Sequence, residues 1–429
     1  TCQILAVAAM VWQSDGFSED EWAIVQKQLE NVRKFAEGIE PGNPIWSEIT
    51  LETLEFLASL PPHIKARLAE GQYFPFSVES PAPSVPHAGR ETKIMCIDLD
   101  TFKAGHILGD SGYRPVLINF ANECDAGGGW LSGMWGAQEE CLMRRSSLYL
   151  SLWPLRRPGD ELWRRSPPNR GPFGCWVPDL EGKRNTAYRQ LGFGEGGERV
   201  VLPHLAGQTL NSEGKMEAER GDGRTDLSKN EEAMKILRRL DVPRSYSDER
   251  HGFPLTEAGV VYTPKLLVFR SPDQKSPDGR ITGSQAYSPW MTSLCTCAAL
   301  DLRPERGNQG AVYGYVPEGE PSKAYLEVTR EKMRSVLYAA VQGGHDSVVL
   351  GALGCGVFAN SPEVIAREWR KLLQPGAEFG DAFKVVVFAV TFSKKNFAGF
   401  AAQLGDLGPC CGDGSGSADH RNEFVQHLK

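Results

Sequence analysis

VLINFANECDAGGGWLSGMWGAQEECLMRR, residues 116–145, is the stretch from which the fold can be read. Val116, Leu117, Ile118 and Phe120 form a short apolar run of the kind a buried strand presents. The run breaks at Gly127, Gly128 and Gly129, then reaches Gln138-Glu139-Glu140 and a helix-like segment carrying Leu142, Met143 and Leu148. Strand, glycine loop and helix in succession point to an α/β fold. Glycines let backbone amides approach a ligand with no Cβ in the way and with positive φ allowed. Amides of this kind beside a helix start make a ready site for phosphate oxygens. A glycine triplet alone is more often a flexible turn, and an acidic first turn favours any helix.

Working outward, Ser18-Glu19-Asp20-Glu21 has the form of a capping box opening a helix through about Ala36, with Trp22, Val25, Leu29 and Val32 at helical spacing. Further helices are expected over Leu51–Leu60 and His63–Glu70, and the Pro- and Ser-rich segment 75–86 reads as a linker. Residues 1–88 therefore form a helical N-terminal region. A catalytic domain follows over 89–403. Strands are expected at Lys93–Ile97, Pro115–Ala121, Gly259–Pro264, Leu266–Arg270, Met291–Ala299, Asp346–Leu350 and Phe383–Val390. Thr101–Leu108 and Tyr325–Gln342 read as helices, and the helix after the glutamates is expected to continue to about Leu152. Residues 155–250, rich in Arg, Gly, Pro and Glu, read as a long insertion, partly disordered in solution. Within it Glu231–Leu240 has the pattern of a short helix, whereas Gly192–Gly197 follows no strand and reads as loop. The Gly- and Asp-rich tail 404–429 is expected to be flexible.

A chain of 429 residues is long enough for a large core, and 41% hydrophobic with 24% charged residues is ordinary for a soluble globular protein. The formal net charge of -7 supplies no positive field for DNA or for an anionic membrane. An anionic substrate would have to be held by local dipoles and a few cations. The apolar patch Ile4–Val11 has no basic flank and is too short to span a bilayer. The ten cysteines are scattered, with Cys295/Cys297 and Cys410/Cys411 as close pairs and no zinc-type spacing, so neither a metal nor a cofactor is expected. A reducing cytoplasm or nucleus suits this cysteine usage, and a monomer is the expected state.

A second loop shares the design of the first. Leu350 ends an apolar run, Gly351-Ala352-Leu353-Gly354-Cys355-Gly356-Val357-Phe358-Ala359-Asn360 follows, and Ser361-Pro362 opens a helix in the order that caps one. Two such loops facing each other would grip a diphosphate through backbone N–H groups. Asn119-Phe120-Ala121, the GGG and QEE separated by eight residues, Tyr262-Thr263-Pro264, Phe269-Arg270 and the 350–358 loop together resemble the bacterial-type poly(ADP-ribose) glycohydrolases, a macrodomain family. The resemblance covers roughly residues 91–153 and 252–392. It implies a macrodomain-like three-layer α/β/α fold with a mixed sheet, and ADP-ribose in a cleft above it. It further implies that Glu140 is the catalytic acid/base and that Glu139 binds a hydroxyl of the scissile ribose. Phe358 would pack on that ribose while Gly127, Gly128, Gly129, Gly354, Cys355, Gly356 and Val357 hold the diphosphate. Gln138, Asn122 and Asn360 complete the expected substrate contacts.

The chemistry can be set against the residues. Many glycosidases flank the scissile bond with two carboxylates. Adjacent glutamates lie about 3.8 Å apart at Cα and point roughly 100° apart on a helix, so they cannot flank a bond. One carboxylate would serve as acid and then as base, while its neighbour holds a hydroxyl. The expected reaction is hydrolysis of ribose–ribose O-glycosidic bonds of poly(ADP-ribose), releasing ADP-ribose from chain ends. The alternatives are hydrolysis of mono-ADP-ribosylated protein or small ADP-ribose derivatives, and a non-catalytic macrodomain that only binds ADP-ribose. Trp130 and Trp135 are read as packing the loop onto the domain rather than covering the cleft.

Overall fold

The computed structural model describes residues 17–36, 45–74, 92–122, 126–132, 137–152, 235–236, 239–240, 258–271, 274–275, 281–283, 286–303, 313, 320–416 and 420–428. The capping box forms as the sequence predicts. The Ser18 N–H donates to Glu21 Oε2 at 2.7 Å, the Glu21 N–H donates to Ser18 Oγ at 3.2 Å, and α1 runs Glu19–Ala36. Helices α2 (Ile45–Ser59) and α3 (Pro62–Leu68) follow, the latter started by proline at its first turn. Strand β1 (Gln72–Phe74) pairs antiparallel with β4 (Val260–Arg270), so the N-terminal region contributes a strand to the domain's own sheet.

The main sheet has the order β1-β4-β7-β3-β8-β9-β2-β10, where β2 is Lys93–Ile97, β3 Pro115–Phe120, β7 Ala286–Cys297, β8 Ser347–Leu350, β9 Val385–Ala389 and β10 Cys410–Cys411. From β7 to β10 every pairing is parallel, while β4 runs against both of its neighbours. The sheet is therefore mixed. A separate small hairpin joins β5 (Gln274–Lys275) and β6 (Ile281–Gly283). The two stretches expected on either side of Pro264 are one strand, interrupted by a register shift between Thr263 and Leu266. Proline cannot donate to a ladder, and a shift at that point removes the demand.

Residue parity sorts the central strands onto two cores. Met95, Ile97, Leu117, Val349, Val385 and Val387 face a layer built by α1–α3, α4 (Thr101–Asp110), α5 (Gln138–Arg145) and α6 (Leu148–Leu152). Ile94, Cys96, Val116, Ile118, Val348, Val386 and Phe388 face α7 (Lys323–Gln342), α8 (Pro362–Leu373) and α9 (Lys394–Leu404). Both faces of the parallel strands are covered, which is why they read as unbroken apolar runs rather than as alternations. The result is an α/β/α sandwich.

Three sequence expectations change here. The helix after the glutamates stops at Arg145 and restarts at Leu148, because Ser146 leaves the helix to bridge Val268 of β4. The N-terminal helices are not an appendage. Phe56 packs against Phe269 with ring centroids 4.6 Å apart and planes tilted by 60°, Glu52 pairs with Arg270 at 2.6 Å in the interior, and Thr53 Oγ1 donates to the Arg144 carbonyl at 2.7 Å. The tail is not frayed from residue 404 onward. β10 extends the sheet beside β2, and α10 (Arg421–Leu428) buries Phe424 and Leu428 in the first core. Glycine and aspartate between 405 and 416 make tight turns there, with Gly412, Gly414 and Gly416 all at positive φ.

Most of the 155–250 stretch, the linker 75–86 and Trp135 lie outside the described residues. Within the expected helix Glu231–Leu240, residues 235, 236 and 239 are helical, Ile236 and Leu240 are buried, and the Arg239 carbonyl accepts from Lys65 Nζ at 3.1 Å. Among the described residues no helix is long and apolar enough to cross a membrane.

Candidate active site

Strands β7, β3, β8 and β9 are neighbours and parallel, so their carboxyl ends open onto one edge of the sheet. Crevices outside the carboxyl ends of parallel strands are where α/β sheets bind ligands. Both glycine loops leave from this edge, one after β3 and one after β8. Phe120 links them: a Cβ on Gly351 would lie 2.9 Å from the Phe120 ring and 2.7 Å from the Ala389 carbonyl. Only a residue without a side chain fits between those two groups.

Helix α5 begins at Gln138, and its first turn carries both glutamates. Gln138 sutures the helix to the strand. Its Oε1 accepts from the Phe120 N–H at 2.8 Å, and its Nε2 donates to the Ile118 carbonyl at 2.8 Å and to Thr101 Oγ1 at 3.2 Å. The expected substrate contact of Gln138 is replaced by this positioning role, because both ends of the amide are already engaged.

Glu139 is 2% exposed and fully organised by the protein. Asn119 Nδ2 donates to its Oε1 at 3.2 Å, the Gly127 N–H to the same oxygen at 3.1 Å, and the Asn122 N–H to Oε2 at 2.7 Å. Burial, reinforced by the neighbouring Glu140 charge, nevertheless holds its carboxyl well above the usual range. Glu140 is 4% exposed and far less satisfied. The Gly129 N–H donates to Oε1 at 2.9 Å, while Oε2 is buried with no hydrogen-bond partner among the described residues. Burial raises its pKa too, opposed by the Gly129 hydrogen bond and by the charge of Arg144. A buried carboxyl whose pKa is raised is suited to hold a proton and deliver it to a substrate.

The glycine triplet owes its composition to these carboxylates. Gly128 sits at φ 55°, and a Cβ there would lie 2.5 Å from Glu140 Oε1 and 3.0 Å from Glu139 Oε2. Gly127 has φ 86°, and a Cβ there would lie 2.6 Å from Met143 and 2.8 Å from Trp130. The two glutamates therefore converge on one loop instead of diverging around the helix. This corrects the expectation that the Gly127 and Gly129 amides hold diphosphate: both are spent on Glu139 and Glu140. Trp130 is fully buried, its ring 5.2 Å from that of Tyr149, and so packs the loop as anticipated.

In the second loop, Gly354 has φ 72°, and a Cβ would meet Ala299 at 2.4 Å and Asn360 at 2.6 Å. Gly356 faces open space. Asn360 is buried and braces the loop. Its Nδ2 donates to the carbonyls of Leu300, Gly354 and Phe358, and its Oδ1 accepts from Tyr325 Oη at 2.6 Å. Its expected substrate role is likewise corrected to one of positioning, since every polar atom of its side chain is used internally. Phe358 is half-buried, with the Arg303 guanidinium 5.4 Å from its ring centre, and Val357 is 43% exposed. Cys355 lies between Gly354 and Gly356 in the loop, its thiol pushed up by burial. The loop ends at the N-terminus of α8, where Ser361 Oγ accepts from the Val364 N–H at 3.3 Å. Asn119, which the sequence reading left out of the site, joins it through its hydrogen bond to Glu139. Asn119 signals itself as a polar residue inside an apolar strand. Phe392, beyond the end of β9, is 64% exposed at φ 59°.

The fold and site define a class: a three-layer α/β/α protein with a mixed sheet and a buried glutamate pair at the carboxyl edge of that sheet. Residues 58–162, which carry the strand, the glycine triplet and both glutamates, match the family model described as the microbial-type PARG catalytic domain, and on that segment the resemblance read from the sequence is borne out. No curated protein gives a significant match. Among solved structures, the chain is similar to the poly(ADP-ribose) glycohydrolase (PARG) of Thermomonospora curvata, with 21% identity and a TM-score of 0.47 over 83% of this chain and 98% of that one. The same enzyme bound to the inhibitor ADP-HPD gives 21% identity and 0.46 over the same shares. The Deinococcus radiodurans enzyme in complex with ADP-ribose gives 21% and 0.43, over 81% of this chain and 99% of that one.

Proposed function

We propose that this protein hydrolyses the ribose–ribose O-glycosidic bond of poly(ADP-ribose) and releases ADP-ribose from chain ends. The carrying observation is the asymmetry of the glutamate pair: among the described residues Glu139 holds three N–H donors, whereas Glu140 has one buried oxygen without a partner. Glu140, whose pKa burial raises, gives its proton in the acid form to the leaving ribose oxygen. As the carboxylate it then takes a proton from the water that attacks the oxocarbenium-like carbon. Acid–base assistance of this kind contributes roughly 10²–10⁴-fold. A carboxylate has about four acceptor positions, so Glu139 has room beside its three donors for a ribose hydroxyl.

The diphosphate falls to the 351–360 loop and the N-terminus of α8, whose dipole favours anions by about 0.3–1 kcal/mol. Phe358 offers a face for the ribose. Phe392, projecting from the next strand end, offers a ring for the adenine. A pure ADP-ribose reader has no use for an acid held with a free oxygen, and this favours hydrolysis over binding alone. Labelled polymer incubated with the protein should yield free ADP-ribose. Glu140→Gln should lower the rate by about 10²–10⁴-fold while ADP-ribose binding, followed by calorimetry, is retained. A variant that keeps its rate within a few-fold removes Glu140 from the mechanism.

A further inference from the structure

Far along the sheet from the glutamates, the C-terminal segment gathers a different set of side chains. β10 ends the main sheet beside β2, and Cys411 on it is 2% exposed. Helix α10 lies against that edge, held by buried Phe424 and Leu428 and by Lys93 Nζ, which donates to the Leu428 carbonyl at 3.1 Å. Glu423 and His427 stand four residues apart on α10, so both project from one side of the helix. Their ligand atoms and Cys411 Sγ all lie within 4.8 Å of one another. His420 Nδ1 meets Glu423 Oε2 at 3.1 Å and orients that carboxylate from outside the group.

From this juxtaposition we propose that Cys411, Glu423 and His427 form a binding site for a divalent cation of the zinc type. The donor set carries the choice. Sulfur, imidazole nitrogen and carboxylate oxygen are the three ligand kinds zinc accepts in tetrahedral geometry, whereas magnesium and calcium call for oxygen donors throughout. Two ligands at i and i+4 on a helix with a third from a neighbouring element is a geometry helices supply readily. Glu423 and His427 are exposed, so the fourth position opens to solvent and takes a water. Binding converts the Cys411 thiol to a metal-bound thiolate and releases its proton to bulk water. The cation ties α10 to the last strand and so closes an edge of the sheet that would otherwise offer unpaired backbone groups. The site lies four strand positions from β3, or about 19 Å at the usual strand spacing, so it acts on the fold and not on the glycosidic bond.

The test uses the full chain, stripped with a chelator and titrated with Co²⁺ as a spectroscopic probe. A stoichiometric sulfur-to-cobalt charge-transfer band, displaced by Zn²⁺, together with a Zn²⁺-dependent rise in melting temperature, is expected. Cys411→Ser should abolish the band. His427→Gln, at an exposed position, should lose tight binding without unfolding the protein, and Cys410→Ser should keep the band. Absence of the band in the parent chain overturns the proposal, as does its survival in both Cys411→Ser and His427→Gln. Loss in Cys410→Ser with retention in Cys411→Ser would place the thiolate at the wrong cysteine and overturn it equally.

Discussion

Gly128 and Glu140 show how tightly chemistry and backbone are bound together at single residues. Alanine at 128 would have to adopt a left-handed φ and place its methyl group 2.5 Å from Glu140 Oε1. Gly128→Ala is expected to cost about 1–3 kcal/mol of stability, read by denaturant melts, and to lower kcat more than it raises KM, because it displaces the acid rather than the substrate. Glu140→Gln should move stability the other way. The folded-state pKa of Glu140 is raised, so its carboxyl contributes favourably below the unfolded value of 4.5, and that contribution is lost as pH rises through the folded value. Glutamine removes the cost of ionising a buried group while its Oε1 still accepts from Gly129. The variant should therefore melt at a higher temperature than the parent, by a margin that grows with pH over that window. The rate of the parent should fall on the alkaline side as Glu140 loses its proton. A margin independent of pH would mean that Glu140 is not the group being ionised.

Among the elements, α2 is the one whose role the sequence concealed most. Its apolar spacing announces a helix but not a partner. In the fold it buries Glu52 against Arg270 of β4 and donates from Thr53 to the last turn of α5, the helix that carries both glutamates. Removing one member of a buried pair strands the other charge, a loss of roughly 3–5 kcal/mol. Glu52→Ala should show that loss in chemical denaturation, whereas Glu52→Ala combined with Arg270→Met should recover much of it. Equal stability of the single variant and the parent would show that the pair is solvated and carries no weight. The helix α5 illustrates the opposite case. Its start at Gln138 and its acidic first turn were legible in the sequence, but its stop at Arg145 depended on Ser146 meeting Val268.

For the molecule as a whole, the C-terminal segment changes character between sequence and structure. Glycine and aspartate dominate residues 405–416, a composition that reads as fraying, yet they turn the chain so that Cys410 and Cys411 pair with Cys96 and Ile97. Phe424 is then fully buried in the core shared with α4. Phe424→Ala should destabilise the whole domain by about 3–5 kcal/mol in a single cooperative transition, with the proposed activity per folded molecule unchanged. An early separate transition would instead show that the segment folds independently of the sheet.

By itself, the sequence determined the α/β class, the strand–loop–helix around GGG and QEE, and the second glycine loop with its helix cap. Apolar runs, glycine clusters and caps are local signals set by backbone geometry over a few residues. It also singled out Glu139 and Glu140. Only the tertiary structure decided how their work is divided, because that depends on which N–H groups converge on each carboxylate. Asn119, Asn122, Gly127 and Gly129 reach the pair through space, and the first glycine loop proves to be a cradle for the glutamates rather than for phosphate. The engagement of Gln138 and Asn360, the docking of α2 and the gathering of Cys411, Glu423 and His427 belong to the same category. Each joins segments far apart in the chain or side chains whose spacing follows no motif, and only the packing of a common sheet brings them into reach.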